Sequence, residues 1–158
     1  MSTTQTIPAL GEVWPGQGGI YGGIIPGRNG ERSYYVIIGE DLGRMAWGPY
    51  NVQSPAASMF DGPGNTAALI ADGGEYLAVK AAVAYEADGH SDFYLPAIGE
   101  LNEIRMNLGE QAWGWPWSST QSNECGAFTM DFVDIGQYQL VAKSTEFPVR
   151  PVRKILID

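Results

Sequence analysis

The chain predicts an α+β fold, and three observations predict it. Its two ends carry runs of β-branched and aromatic residues, while alanine-rich stretches with helical spacing occupy the middle. The run "SYYVIIGE" at 33–40 is continuously apolar, which suits a central strand. Finally, 21 glycines and 10 prolines among 158 residues cut the chain into short elements joined by turns.

Each element follows in order. Residues 1–10, polar up to Ile7, read as a flexible arm ahead of a single domain over 11–158. The segments "GGIYGGIIPG" and "SYYVIIGE" flank the turn "GRNGE" and read as strands. The glycines clustered at 16–23 predict bulges or close backbone approach. "NVQSPAASMFDGPG" at 51–64 is loop chemistry. A helical region near 65–87 follows, with Asn65 or Thr66 as its cap and an interruption at Gly73 and Gly74. Leu77, Ala81, Ala84 and Tyr85 form its expected core-facing stripe.

In "DFYLPAIGELNEI", Pro96 holds Leu95 extended, so a second helix starts at about Ala97 and runs to 108. Leu101, Ile104 and Leu108 are its buried stripe. Glu100 stands where a capping-box acid reaches back to the cap amide, but Ala97 has no side-chain acceptor to complete the box. In "WGWPW", alternation puts Trp113, Trp115 and Trp117 on one side of an extended chain. "AFTMDFV", "DIG" and "QYQLVAK" read as a hairpin. "EFPVRPVRKILID" closes as a strand whose prolines sit at an edge or bulge.

Composition limits function. A net charge of −9 opposes binding to a phosphate backbone or to anionic membranes. Cys125 is the only cysteine, so no intrachain disulfide forms, and its expected role is packing. His90, in the turn sequence "DGHSD", is expected to be an exposed loop residue. No GxSxG, HExxH, P-loop or dinucleotide fingerprint occurs. The first residues lack the basic and apolar regions of a signal peptide, and no apolar run approaches a membrane span. The expectation is therefore synthesis in a cytoplasm, with no nucleic-acid partner and no membrane insertion.

Three motifs then occur in order: "DFYLPAIGEL", "WSST" and "VRPVR". Over roughly residues 11–154 the chain resembles a domain family of phage and bacterial surface proteins, related to the C-terminal domain of bacterial collagen-like adhesins. That family is similar to the C-type lectin fold and, more distantly, to formylglycine-generating enzymes. The resemblance implies a mixed sheet joining the N- and C-terminal strands, two flanking helices, and a smaller sheet bearing irregular loops. In this reading the three motifs are scaffold. The family usually has Ser or Thr where this chain has Ala97, and its enzyme branch uses paired cysteines where this chain has only Cys125. No enzymatic activity is expected.

What the resemblance implies instead is a virion component that binds. One reading is a tail or head-fibre module recognising a host-surface glycan or protein. The alternative is a capsid or tail decoration protein whose partner is the virion itself. Such modules act as symmetric multimers, so a homo-oligomer, with a trimer favoured, is expected, residues 1–12 touching a neighbour. The contact surface is expected on two loops. Trp47, Tyr50, Asn51 and Phe60 lie on the first; Trp113, Trp115, Asn123 and Glu124 lie on the second. Both combine flat apolar groups with adaptable polar ones, the composition shared by protein and glycan contacts, with core packing as the alternative for the tryptophans. No cofactor is expected. Calcium is the one candidate, through oxygens of "DGPGN" and "NECG", neither of which has EF-hand spacing.

Overall fold

The computed structural model describes residues 6–134 and 136–158. Residues 1–5 of the expected arm, and Ile135 of the "DIG" turn, lie outside the described residues. In chain order, the N-terminal β region supplies β1 (Val13–Trp14), β2 (Gly19–Ile25), β3 (Tyr34–Ile38) and β4 (Arg44–Met45). Three helices follow: α1 (Gly62–Asp72), α2 (Leu77–Ala84) and α3 (Ile98–Leu108). The remainder gives β5 (Trp117–Gln121), β6 (Gly126–Met130), β7 (Tyr138–Ala142), β8 (Phe147–Pro148) and β9 (Val152–Leu156). The α+β class holds, with three helices and several antiparallel sheets.

The main sheet has the order β1-β2-β3-β9, so strands from the two ends of the chain share it. All three of its pairings are antiparallel, which corrects the expectation of a mixed sheet. A parallel pair needs a crossover connection. Here β1, β2 and β3 follow one another through short turns, and β9 returns against β3 from Val152 opposite Ile38 to Leu156 opposite Tyr34. The apolar run at 34–38 does lie inside the sheet, between β2 and β9. β5, β6 and β7 form a second antiparallel sheet, and β4 pairs with β8 as a two-residue ribbon.

The glycines of β2 mark a bulge, as their clustering suggested. Tyr21 faces Ile37 and Ile24 faces Tyr35, so β2 uses one residue more than β3 between the two pairs. Gly23 has φ +92° there, and a side chain on it would run into the Asn107 amide of α3. That amide donates to Gly22 O at 3.0 Å and to Ile24 O at 3.2 Å, which satisfies carbonyls of the bulged segment.

Three helices replace the two expected, because Gly73 (φ +77°) ends α1 and the chain restarts at Leu77. α1 also begins earlier than its alanines suggest. Asp61, and neither Asn65 nor Thr66, is the cap: its Oδ1 accepts the Gly64 amide at 2.9 Å, and Pro63 sits in the first turn where no partner is needed for a missing N–H. In α2 the buried residues are Ala78, Val79 and Ala82, whereas Leu77 is exposed. Alanines make up much of this helix, so hydropathy leaves its rotation open, and the branched Val79 takes the core position.

The core has two large parts. Ile25, Val36, Ile38 and Val152 of the main sheet pack against Ile98, Leu101 and Ile104 of α3, with Leu108 at the margin. Trp47, Leu69, Tyr76, Leu95, Trp117 and Val149 form the second part, around α1 and α2. The three tryptophans do not share one side. Gly114 takes φ +68° and turns the chain, so Trp113 joins the first cluster while Trp117 joins the second.

A groove between a helix and a strand edge

β9 ends the main sheet, and among the described residues only its first residue is paired on the outer edge. Val152 exchanges both backbone hydrogen bonds with Tyr94, at 2.8 and 3.0 Å. In an antiparallel ladder, alternate residues turn their N–H and C=O groups to opposite sides. Arg153 and Ile155 therefore face β3, as does Ile157, whose amide donates to Ser33 O at 3.0 Å. Lys154 and Leu156 present their N–H and C=O groups outward.

That open edge forms one wall of a groove of about 990 Å³, and α1 forms the other. Pro63, Ala67, Ile70 and Ala71 line it from α1, Val83 from α2, and Tyr94 from between the walls. Ile70, Val83 and Leu156 are 44%, 39% and 51% exposed, so the apolar side chains left in solvent here gather on one concave surface. Three of its charged groups, Arg32, Asp92 and Lys154, have partners. Arg32 pairs with Asp158 at 2.6 Å and donates to Ile157 O at 3.0 Å, fixing the strand's end. Arg153 pairs with Asp92 at 2.7 Å and donates to Gln17. Burial pushes the Asp92 carboxyl up, but the Arg153 hydrogen bond and charge outweigh it and hold that carboxyl below its ordinary value. The Lys154 ammonium lies over the Tyr34 ring, 4.4 Å from its centroid.

Behind the groove sits Glu100, almost fully buried. Its Oε2 accepts the hydroxyls of Tyr34 and Tyr94, each at 2.5 Å. Its Oε1 accepts the amides of Gly62 at 3.0 Å and Ala97 at 3.1 Å. One carboxylate thus ties β3, the strand segment before α3, and the N-termini of α1 and α3. Burial raises its pKa despite the opposing donors and the nearby Lys154 charge. The same burial, joined by the Glu100 charge, drives both tyrosine hydroxyls far above their ordinary value.

The eight residues expected at the contact surface fall into several places. Tyr50, Asn51, Asn123 and Glu124 lie on neighbouring turns, where Asn51 Oδ1 is 3.9 Å from Cys125 Sγ. Those turns are joined from below by Lys143, which donates to Val52 O and to Gln121 Oε1, both at 2.7 Å. Gln121 Oε1 also accepts the Ser54 amide at 2.7 Å. Burial lowers the Lys143 pKa against the opposing charges of Cys125 and Glu124. Trp47 is buried beneath this cluster, its indole N–H donating to Ser118 O at 2.8 Å. Phe60 lies elsewhere, under the Arg28 guanidinium at 3.5 Å. Trp113 is buried against Phe132 and Arg150, and Trp115 stacks on Phe147 at 5.9 Å.

The two segments considered for calcium engage their side-chain oxygens with the backbone. Asp61 caps α1, Asn65 Oδ1 accepts the Ser58 amide, and Asn123 Oδ1 accepts the amides of Cys125 and Gly126. Among the described residues no group of three His, Cys, Asp or Glu side chains could hold a metal ion. His90 closes its turn and bonds Gly16 O at 2.9 Å. Sequence reasoning missed the groove. Its signal was present only in part: the prolines of "EFPVRPVRKILID" place the closing strand at an edge or bulge, and β9 does end the sheet, but nothing local says that α1 stands opposite that edge. Neither a protein-family model nor a curated protein matches the chain.

Proposed function

We propose that this chain is a non-catalytic binding module of a virion and that its partner is a polypeptide, held in the groove between α1 and β9. The single observation that carries this reading is the gathering of Ile70, Val83 and Leu156, all exposed, on one concave apolar surface. It favours a protein partner over a glycan, because the exposed aromatic rings expected to stack on sugars have separate neighbours, Tyr50 beside Cys125, Phe60 under Arg28 and Trp115 on Phe147. The virion setting, and a fold of the C-type-lectin kind, rest on resemblance of the three motifs. A host-surface protein makes the chain a fibre module; a virion protein makes it a decoration protein. Both readings take it as a homo-oligomer, a trimer on the particle, and the exposed Ile7, Leu10 and Val13 support a contact from that end.

The test is attachment of labelled protein to host cells and to particles stripped of it, for the parent chain and for Ile70→Asp. Ile70 is exposed, so this change should leave melting unaltered while attachment to one of the two targets falls at least about tenfold. Attachment that survives Ile70→Asp but is lost in Tyr50→Ala moves the site to the turns around Asn51 and Asn123. Binding to neither target overturns the virion reading.

A further inference from the structure

Resting on the reading of the groove as a binding surface, we infer that it takes its partner as an extended segment with a basic end, added as a new strand to β9 at Lys154 and Leu156.

The backbone specifies the form of the occupant. The outward N–H and C=O groups of Lys154 and Leu156 repeat every second residue, the spacing that an added antiparallel or parallel strand satisfies. Tyr94 already occupies the first position of this edge, bonded to Val152, and among the described residues none continues the ladder past it. An incoming strand would carry the same row forward. Ile70 and Val83 would receive its alternate side chains from the helical wall, and Leu156 from the strand wall.

Charge specifies the rest. Glu31 and Asp61 stand on the groove, and neither has a cation within salt-bridge distance among the described residues. The two cations from the same surface are drawn aside, Arg32 onto Asp158 and Lys154 onto the Tyr34 ring. A basic side chain at the end of the segment completes the acids, and it also gains from the chain's overall charge of −9. A second copy of the chain, equally acidic, is disfavoured as occupant on the same ground.

The probe is a pool of capped peptides, about ten residues long to match a strand and its flanks, with lysine or arginine at both ends and Val, Ile, Leu or Phe at alternating positions. Three comparison pools carry glutamate ends, carry N-methyl groups on the amides that would face β9, or are scrambled to break the alternation. The protein is the full chain, labelled for amide exchange. Expected at millimolar peptide is at least about tenfold slower exchange at the Lys154 and Leu156 amides, with the N-methylated and scrambled pools inactive and the glutamate pool at least about fivefold weaker. Leu156→Pro removes an outward N–H from the ladder together with the leucine side chain of the strand wall, and proline is tolerated on such an edge, so the fold should persist while peptide affinity drops at least about tenfold below that of Leu156→Ala, which loses the side chain and keeps the N–H. N-methylated peptides that bind as well as the parent pool overturn strand addition, and glutamate-ended peptides that bind as well overturn the charge argument. If no peptide slows exchange at Lys154 and Leu156 while Ile70→Asp still abolishes attachment, strand addition falls and the groove remains the site. If Ile70→Asp has no effect on attachment, the groove itself is abandoned.

Discussion

Thr120 Oγ1 accepts the amide of Ile98 at 3.0 Å. The acceptor that Ala97 lacks at the start of α3 is thus supplied by a strand 22 residues later, from the "WSST" motif. Glu100 provides the other half of the arrangement by accepting the Ala97 amide. A local capping box has become a tertiary contact.

Thr120→Val should therefore act as a cap deletion. The change keeps the side chain's shape but leaves the Ile98 N–H and the Ser58 carbonyl, which the Thr120 hydroxyl reaches at 2.9 Å, without this partner. A loss of about 1–3 kcal/mol is expected, measured by urea unfolding. Ala97→Ser should not restore it, because Ala97 is fully buried and a hydroxyl there displaces packing.

Glu100→Gln should destabilise by about 1–3 kcal/mol at acid pH, since its amide brings two donor hydrogens, where the protonated carboxyl brings one, to a site at which Tyr34, Tyr94, Gly62 and Ala97 already donate. The deficit should then narrow as pH rises. Folding raises the Glu100 pKa above its ordinary value of 4.5, so between the two values the native state binds more protons than the unfolded one. The parent loses stability as pH rises through that window, and the variant has no such group to titrate. Unfolding both proteins from about pH 4 to about pH 7 checks the sign. A deficit that widens with pH would place the folded pKa below 4.5.

Lys143→Met should loosen the turn at 50–56 while the rest of the fold stays closed. The ammonium holds Val52 O and Gln121 Oε1 and lies 5.0 Å from the Trp47 ring centroid. Limited proteolysis should cut the variant near Val52 several times faster than the parent. Its global stability should fall by about 1–3 kcal/mol. Equal cleavage rates would show that the turn is held by its other contacts.

Alanine replacements at the aromatic positions should separate core from surface. Trp113→Ala and Trp117→Ala remove buried rings and should cost about 3–5 kcal/mol each. Tyr50→Ala, with a residue 56% exposed, should stay within about 0.5 kcal/mol. Thermal melting of the three variants is sufficient to test this.

Much of the fold was legible because its determinants are local. Pro96 sets the start of α3, the apolar run at 34–38 declares an inner strand, and the paired glycines of β2 announce a bulge. The misjudged elements depended on distant partners. Asp61 caps α1 by a local bond to the Gly64 amide, but the glycines and proline of "DGPG" look like loop alone, and the Gly62 amide finds its acceptor only in Glu100, 38 residues away. The rotation of α2 is decided by neighbours, since its own alanines are nearly equivalent. The groove was illegible for the same reason. Ile70, Val83 and Leu156 are ordinary apolar residues in three separate elements, and only the position of β9 at the end of the sheet turns them into one surface.

The ion pair between Arg32 and Asp158 has a practical use. Arg32 lines the groove just ahead of β3, so the pair places anything fused after Asp158 at the groove's mouth. A weak ligand joined there through a short flexible linker would meet β9 at an effective concentration on the order of millimolar, set by the tether and not by the amount added. Asp158 can thus root a docking arm, turning ligands too feeble for ordinary titration into intramolecular ones whose occupancy can be ranked one fusion at a time.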